Sequence, residues 1–456
     1  MENKDVIQLK RASKAAVVLY SLGDLASQFV WTFIGSYLTV FYTDIVGLAP
    51  AIAAVIMMTA RIWDAINDPM MGAIAERTRS KFGRFRPYIV FGSPILAFFT
   101  ALCFTNPFLG TSTAGIIWAA FTYIVTGMLY TLVNIPYGAL GAVMTEDAEQ
   151  RNRINASRNI GMNLGILIVN GLSSFVMLFF SKKGATVPDS NGYLYTSILY
   201  ALISVPCFLG VFLTSKENII PKGKPEKFSF HEVIKNLLSN KYLMVMLGIM
   251  VFGMCAQMGR ISVVIFYIIY NLGSFQLIPV IMLTPSILGI VSSLLVPKAI
   301  QKFGKRNVLI LGYLGQAASL LVLYFIPYSD IIGIIIANGL FGFFNVAFPC
   351  SLGMISDAIE YYELQTGIRS DGVAYATYGL SQKLGTAIGS SFGIVIMSAF
   401  GYVPNAQQSL NALMGINFTV NLLPALLFII AAIIAWRFWR ITDEVSDEVR
   451  LRLFNK

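Results

Sequence analysis

The chain has 456 residues, 56% of them hydrophobic and only 12% charged, with a mean hydropathy of +0.70. Apolar segments of about twenty residues, the length an α-helix needs to cross a bilayer, recur from end to end; this excludes a soluble globular enzyme and points to a polytopic membrane protein. The net charge of +10 does not signal nucleic acid, because the basic residues fall in alternate loops, as they do on the cytoplasmic side of membrane proteins.

Residues 1–14 are polar, carry Lys4, Lys10, Arg11 and Lys14, and lack a compact apolar core followed by a small-residue cleavage site, so no leader is expected. Apolar runs then predict twelve spans, near 15–43, 50–75, 87–107, 113–143, 156–181, 193–214, 240–270, 275–298, 306–327, 331–356, 373–400 and 412–437. Between the second and third lie Arg77, Arg79, Lys81, Arg84 and Arg86, and between the fourth and fifth Arg151 and Arg153. The longest connection, 215–239, holds Lys216, Lys222, Lys224, Lys227 and Lys235. The opposite loops are nearly free of Lys and Arg, Lys182 and Lys183 excepted. This asymmetry predicts a multi-pass protein of the cell (inner) membrane with both termini cytoplasmic.

The basic linker at 215–239 divides the chain into an N-terminal six-helix bundle, 1–214, and a C-terminal one, 240–437, followed by a cytoplasmic tail, 438–456, that reads as a short amphipathic helix. Lys81-Phe82-Gly83-Arg84 after span two recurs as Lys302-Phe303-Gly304-Lys305 after span eight, at matching places in the two halves, the mark of an internal duplication. An all-α chain of two six-helix bundles resembles the major facilitator transporters, whose substrate site lies near mid-bilayer. His231 in the linker is expected only to be solvated. Cys103, Cys207, Cys255 and Cys350 sit in apolar runs without metal spacing and read as small hydrophobes.

The most informative stretch is Arg61-Ile62-Trp63-Asp64-Ala65-Ile66-Asn67-Asp68, inside the second span. Asp64 and Asp68 lie one turn apart on one helix face, with Arg61 a turn before. Charges in a bilayer are costly, so they face a wet cavity or one another and mark ion or substrate paths. Two carboxylates in one patch call for a positive guest: a hard cation held by oxygens, or a proton on one aspartate. The competing reading is a structural pair neutralised by Arg61 and Lys383. Lys383 lies deep in span eleven, where snorkelling to the surface is difficult, Arg260 in the middle of span seven, and Arg158 near the start of span five. Tyr130, Tyr137 and Trp63 suit the apolar face of a sugar ring. Asp357, Glu360 and Glu363 run along the inner end of span ten close to Arg369 and read as clamping a cytoplasmic gate against basic loops, with Glu76 and Arg84 doing likewise in the first half.

Phe41-Tyr42-Thr43-Asp44-Ile45-Val46-Gly47-Leu48, Ala60 to Pro69 around the octet, Arg79-Ser80-Lys81-Phe82-Gly83-Arg84-Phe85-Arg86-Pro87, Tyr130-Thr131-Leu132-Val133-Asn134-Ile135-Pro136-Tyr137 and Gly401-Tyr402-Val403-Pro404-Asn405 together resemble the glycoside–pentoside–hexuronide:cation symporters. The likeness covers nearly the whole chain. It implies a coupling-cation site at Asp64 and Asp68, with Asn67 and Thr131 as further ligands, and roles in sugar binding and coupling for Arg158 and Lys383. The chain departs from the melibiose carriers of that family at Gln28 and Asn134, where they have aspartates, and at Phe348, where they have a tryptophan. Amides still bond hydroxyls, and Asp24, one turn before Gln28, can supply a carboxylate. Arg260 has no counterpart in those carriers; with the two lost acids it tilts the expected substrate toward a carboxylate-bearing sugar, a hexuronide or glucuronide.

The expected function is sugar:cation symport by alternating access, driven by Na+ or H+ and carried out by a monomer. No enzyme activity, no resident cofactor and no nucleic-acid partner are expected, and no Gly-rich phosphate loop is present for a nucleotide. The rivals are an integral membrane enzyme acting on a lipid-linked sugar, opposed by the single histidine lying in a linker, and a lysolipid:cation symporter on the same fold.

Overall fold

The computed structural model describes residues 11–108, 110–219, 239–367 and 371–454, and every regular element among them is helical. The first half runs α1 (Lys14–Leu19), α2 (Ser21–Val40), α3 (Pro50–Arg77), α4 (Arg86–Cys103), α5 (Thr113–Val143), α6 (Ala148–Phe180) and α7 (Ser190–Thr214). The second runs α8 (Lys241–Phe266), α9 (Ile278–Phe303), α10 (Lys305–Phe325), α11 (Ile331–Phe343), α12 (Ala347–Thr366), α13 (Asp371–Ala399), α14 (Leu410–Asn417), α15 (Leu423–Phe438) and α16 (Asp443–Phe454). Polar caps open several of them: Ser112 Oγ accepts from the Gly115 N–H, Asp189 Oδ1 from Gly192, Asn240 Oδ1 from Leu243 and Ser409 Oγ from Ala412.

Among the described residues nine helices are long and apolar enough to cross a membrane. Three expected spans fall outside that set. In α3 the charges Arg61, Asp64 and Asp68 interrupt the apolar run, and in α13 Gln382, Lys383 and several Gly and Ser dilute it. The tenth, expected as one helix over 331–356, is broken: α11 ends at Phe343 and α12 starts at Ala347. At the break Gly342 lies directly against the backbone of Pro285 in α9, and the Val346 N–H turns back to the Phe344 carbonyl at 2.9 Å.

Contacts divide the chain into two compact units, Met1–Leu48 with Ile62–Pro225, and Ala49–Arg61 with Glu226–Lys456. The division after Pro225 lies in the expected linker, of which 220–238, including His231, lie outside the described residues. The first turns of α3 group with the second unit, whereas the sequence places all of 1–214 in the first.

Each unit uses the same devices in the same register. The first span ends in a π-helical turn, Phe41–Ile45, and the seventh in another, Tyr267–Asn271. In the first the Leu48 N–H reaches the Tyr42 carbonyl at 2.9 Å and in the second Ser274 reaches Ile268 at 3.3 Å. Gly47 and Gly273 supply the positive φ, +78° and +66°, that the reversal needs. The offset that carries Leu48 to Ser274 also carries Leu25 to Val251 and Gln28 to Met254. A Cβ on Gly165 of α6 would lie 2.6 Å from the Gln28 Cβ and 3.1 Å from the Leu25 carbonyl; one on Gly385 of α13 would lie 2.6 Å from the Met254 Cβ and 2.8 Å from the Val251 carbonyl. Gly161 and Gly389, four residues away on either helix, meet the backbones of Ser21 and Cys255 in the same manner. In lipid, where apolar surface gains nothing by leaving its surroundings, such small-residue contacts hold helix pairs by dispersion. The pairs α2–α6 and α8–α13 are thus two copies of one parallel packing.

The basic turns repeat as well. Gly83 and Gly304 have φ of +105° and +79°. Glu217, just past α7, accepts from the Arg84 and Phe85 N–H groups at 3.0 and 2.8 Å, and Asp443, opening α16, accepts from the Lys305 N–H at 3.1 Å. In each unit a carboxylate that follows the last span caps the turn between the second and third.

Candidate cation and sugar site

In the first unit α3 and α5 lie side by side with a one-turn ladder between them. A Cβ on Gly127 would sit 3.0 Å from Asp64 Oδ1, Thr131 Oγ1 donates to Asp68 Oδ1 at 2.8 Å, and a Cβ on Gly72 would sit 3.8 Å from Ile135 Cγ2. Each step is four residues on both helices, so the two run parallel and hold Asp64 and Asp68 against one face of α5. Thr131 is 4% exposed, while Asp64, Asn67 and Asp68 are half-buried. The Asn67 Nδ2 is enclosed and has no partner among the described residues. Pro69 follows Asp68 within α3; lacking an N–H, it cannot bond the Ala65 carbonyl four residues back, which frees a backbone oxygen between the two aspartates. Two carboxylates and the Thr131 hydroxyl, with the Asn67 amide and that carbonyl on the same two turns of α3, are oxygens of the kind a small hard cation takes. Gly127 and the Ala65 carbonyl were missed from sequence. Pro69 signals the carbonyl, and Gly127, one turn before Thr131, signals the close approach.

Asp24, 8% exposed, accepts from Arg158 Nε at 2.8 Å and Nη2 at 3.4 Å and from the Tyr137 hydroxyl at 2.8 Å. Tyr137 stacks on Tyr20, with centroids 4.5 Å apart, and the Arg158 guanidinium lies 5.0 Å from its ring centroid. The Tyr20 hydroxyl donates to the Tyr137 carbonyl, the one proton of the Tyr137 hydroxyl is shared between Asp24 and the Tyr20 carbonyl, and Gly23 leaves the space that the Tyr137 ring fills. Sequence treats Asp24 and Arg158 as separate groups for substrate, but the structure makes them each other's counter-charge. It also corrects Tyr137: the side chain is buried and clamps α2 to α5, so it offers no open face to a sugar.

Farther along the same two helices, Tyr130 stacks on Trp31 at 4.5 Å and 20°, both half-buried. Tyr20 opposite Tyr137 and Trp31 opposite Tyr130 make α2 and α5 antiparallel, which brings Gln28 and Asn134 to the same level between the two aromatic pairs. Gln28 Oε1 accepts from Thr32 Oγ1 at 2.6 Å. Trp31 was not singled out from sequence, although it follows Gln28 by three residues on the same face.

In the second unit Arg260 is 5% exposed. Its Nη2 donates to Asn338 Oδ1 at 2.6 Å, its guanidinium lies 4.5 Å from the Phe341 centroid, and Asn338 in turn donates to the Ile281 carbonyl. Lys383 is half-buried in α13, two residues before the Gly385 contact. Phe348 lies in the first turn of α12, and its side chain is outside the described residues, as is Arg369.

Of the expected gate acids, Asp357 and Glu360 are paired with basic side chains, one of them in a basic loop. Asp357, 2% exposed, is held by Lys305 Nζ, by Arg450 Nη2 at 3.2 Å and by Ser446 Oγ at 2.7 Å, and Glu360 takes Arg450 Nε at 2.8 Å. The bond to Glu360 holds the Arg450 pKa above its ordinary value. These acids therefore tie α12 to the tail helix α16 and to the second basic turn. The Glu363 carbonyl accepts from the Gly367 N–H at 2.8 Å. In the first unit Arg84 pairs with Glu217, Nε to Oε2 at 3.6 Å, and not with Glu76, which is exposed on the last turn of α3; a carboxylate already capping the backbone of the turn stands nearer to its side chain.

A family described as MFS/sugar transport protein matches residues 19–443. An uncharacterized symporter of Bacillus subtilis is 30% identical over 98% of this chain and 96% of its own. The glucuronide carrier protein homolog of Escherichia coli is 28% identical over 98% and 97%, and the isoprimeverose transporter of Lactiplantibacillus pentosus 27% over 96% and 90%. In fold, the chain is similar to a crystal structure of a D-xylose-proton symporter, with a TM-score of 0.66 at 16% identity over 93% of this chain and 97% of that one.

Proposed function

Because the chain belongs to the family of MFS/sugar transport proteins, we propose that it is a sugar:cation symporter, in which a sugar and a coupling cation bind together and are exposed to either side of the membrane in turn. The family is one of transporters, so the reading as a membrane enzyme falls away. The observation that carries the reading is the ladder between α3 and α5, which turns Asp64 and Asp68 toward Thr131 and Gly127. A cation among Asp64, Asp68, Asn67, Thr131 and the Ala65 carbonyl offsets two negative charges that the bilayer otherwise penalises. In the first unit sugar is taken by Gln28, Asn134, Tyr130 and Trp31, with Asp24 and Arg158 at one end; in the second unit Phe348 and Lys383 are the candidate sugar contacts. Glu76, Arg84, Asp357, Glu360, Glu363 and Arg369 serve the cytoplasmic gate, and the basic loops support an inner-membrane protein with both termini inside.

The substrate class favoured is a hexuronide or glucuronide. Arg260 supports this, lying in a stretch, 241–303, without an Asp or Glu, and so does the name of the Escherichia coli relative. The coupling ion is Na+ or H+. Uptake into vesicles of a glucuronide, a xyloside and an α-galactoside, each with and without a Na+ or pH gradient, tests both choices: the glucuronide should win, and its defeat by neutral sugars would end the use made of Arg260. Asp64→Cys or Asp68→Cys should abolish cation-stimulated uptake while the protein still reaches the membrane. Stimulation equal to the parent's would retire the symport reading.

A further inference from the structure

The second unit buries a guanidinium that has no carboxylate partner among the described residues. The helices around Arg260 are its own α8, α9 through Ile281, α11 through Asn338 and Phe341, and α13, whose Gly389 meets the neighbouring Gly259, and residues 241–303, 331–343 and 372–399 contain neither Asp nor Glu. Asp330, the acid that begins α11, spends Oδ1 on the Gly333 N–H two turns before Asn338. An arginine stays protonated in a protein, and a buried charge normally keeps a partner of opposite sign. Asn338 supplies a neutral acceptor to Nη2 alone; Nε has no partner among the described residues. Nor does the hydroxyl of Tyr267, which is 3% exposed and follows Arg260 by two turns on the same helix face. Two enclosed donors on one helix face, one of them charged, lack an acceptor among the described residues.

We propose that Arg260 Nε–H and Tyr267 O–H are the donors of a small-anion site inside the C-terminal unit, filled by one monovalent anion that is either a halide or the carboxylate of a transported uronide. The first source stands independently of the transport reading; the second rests on it. Charge-assisted bonds from a guanidinium and a phenol suit both, because each presents a compact negative charge to converging donors. Neutral glycosides carry nothing that replaces it.

The test uses purified full-length protein in detergent, with melting followed as chloride replaces the bulky HEPES anion at constant Na+ and ionic strength, and separately as methyl glucuronide or methyl glucoside is added. Chloride or methyl glucuronide should raise the melting temperature in a saturable way and methyl glucoside should not. Tyr267→Phe, which removes one hydroxyl and little volume, should weaken the apparent affinity about 5–10-fold; Arg260→Met should abolish the response, and should it fail to fold, Tyr267→Phe decides alone. A response to chloride only assigns a halide, and one to methyl glucuronide, alone or in competition with chloride, assigns the substrate carboxylate. Melting indifferent to both anions, or unchanged affinity in Tyr267→Phe, overturns the proposal. Cation-driven uptake in vesicles reads the symport proposal separately: intact uptake without an anion response sinks this site alone, and an anion response without uptake sinks symport alone.

Discussion

A carboxylate in a membrane helix needs a positive charge or donors around it, and Asp24 and Asp68 obtain them differently. Asp24 is gripped by Arg158 and Tyr137 in a fixed arrangement. Asp68 takes a hydroxyl from Thr131, a neutral donor whose oxygen can also face a cation. Removing the Thr131 hydroxyl should therefore weaken cation affinity by roughly 2–10-fold in Thr131→Ala while Thr131→Ser retains it, as read from the Na+ or H+ dependence of sugar binding. Gly127→Ala places a methyl 3.0 Å from Asp64 Oδ1 and should lower cation affinity while leaving cation-free sugar binding intact. For the Asp24 pair, Arg158→Gln alone should depress the melting temperature more than Arg158→Gln with Asp24→Asn, because the single change strands a buried charge. The acids of the octet were legible in sequence because charges within an apolar run are conspicuous. The union of Asp24 with Arg158 was not, since nothing in their spacing along the chain joins spans one and five.

At the scale of elements, helix pairs here are held by glycines that let backbones touch. Gly165 and Gly385 should tolerate no bulk: a leucine at either forces α6 from α2, or α13 from α8, at a cost of about 1–3 kcal/mol, seen as lowered melting temperature. Gly138 and Gly379 have open space where a Cβ would point, and alanine there should be nearly neutral. Most span limits were legible because apolar runs and caps are local properties; the expected 306–327 is observed as Lys305–Phe325. The break in the tenth span carried a local signal that apolar runs alone pass over: Asn345 lies inside it, and Pro349, lacking an N–H, cannot bond the Asn345 carbonyl four residues back; the approach of Gly342 to Pro285 of another helix was not legible.

For the whole molecule, duplication is the organising fact. The K-F-G-basic repeat announced it, and the π turns, the Gly165 and Gly385 contacts and the carboxylate caps extend it. Glu217→Gln and Asp443→Asn should each cost on the order of 1 kcal/mol by weakening a cap, and the double variant should lose close to the sum, since the two caps share no partners; chemical or thermal unfolding checks this. Linkage gives a further expectation for the symporter: whatever factor the cation contributes to sugar affinity, sugar contributes to cation affinity, and calorimetric titration in both orders should return the same factor.

By itself the sequence determined what depends on one stretch of chain at a time: the apolar spans, the loop charges, the repeated basic turn and the acids of the octet. Tertiary structure decided partnership. That Arg158 answers Asp24, that Glu217 and not Glu76 answers Arg84, that Arg450 answers Asp357, and that Arg260 meets Asn338 and an aromatic ring all follow from the register in which helices touch. That register is set by where glycines allow close approach, and hydropathy along the chain, which records burial without direction, does not contain it.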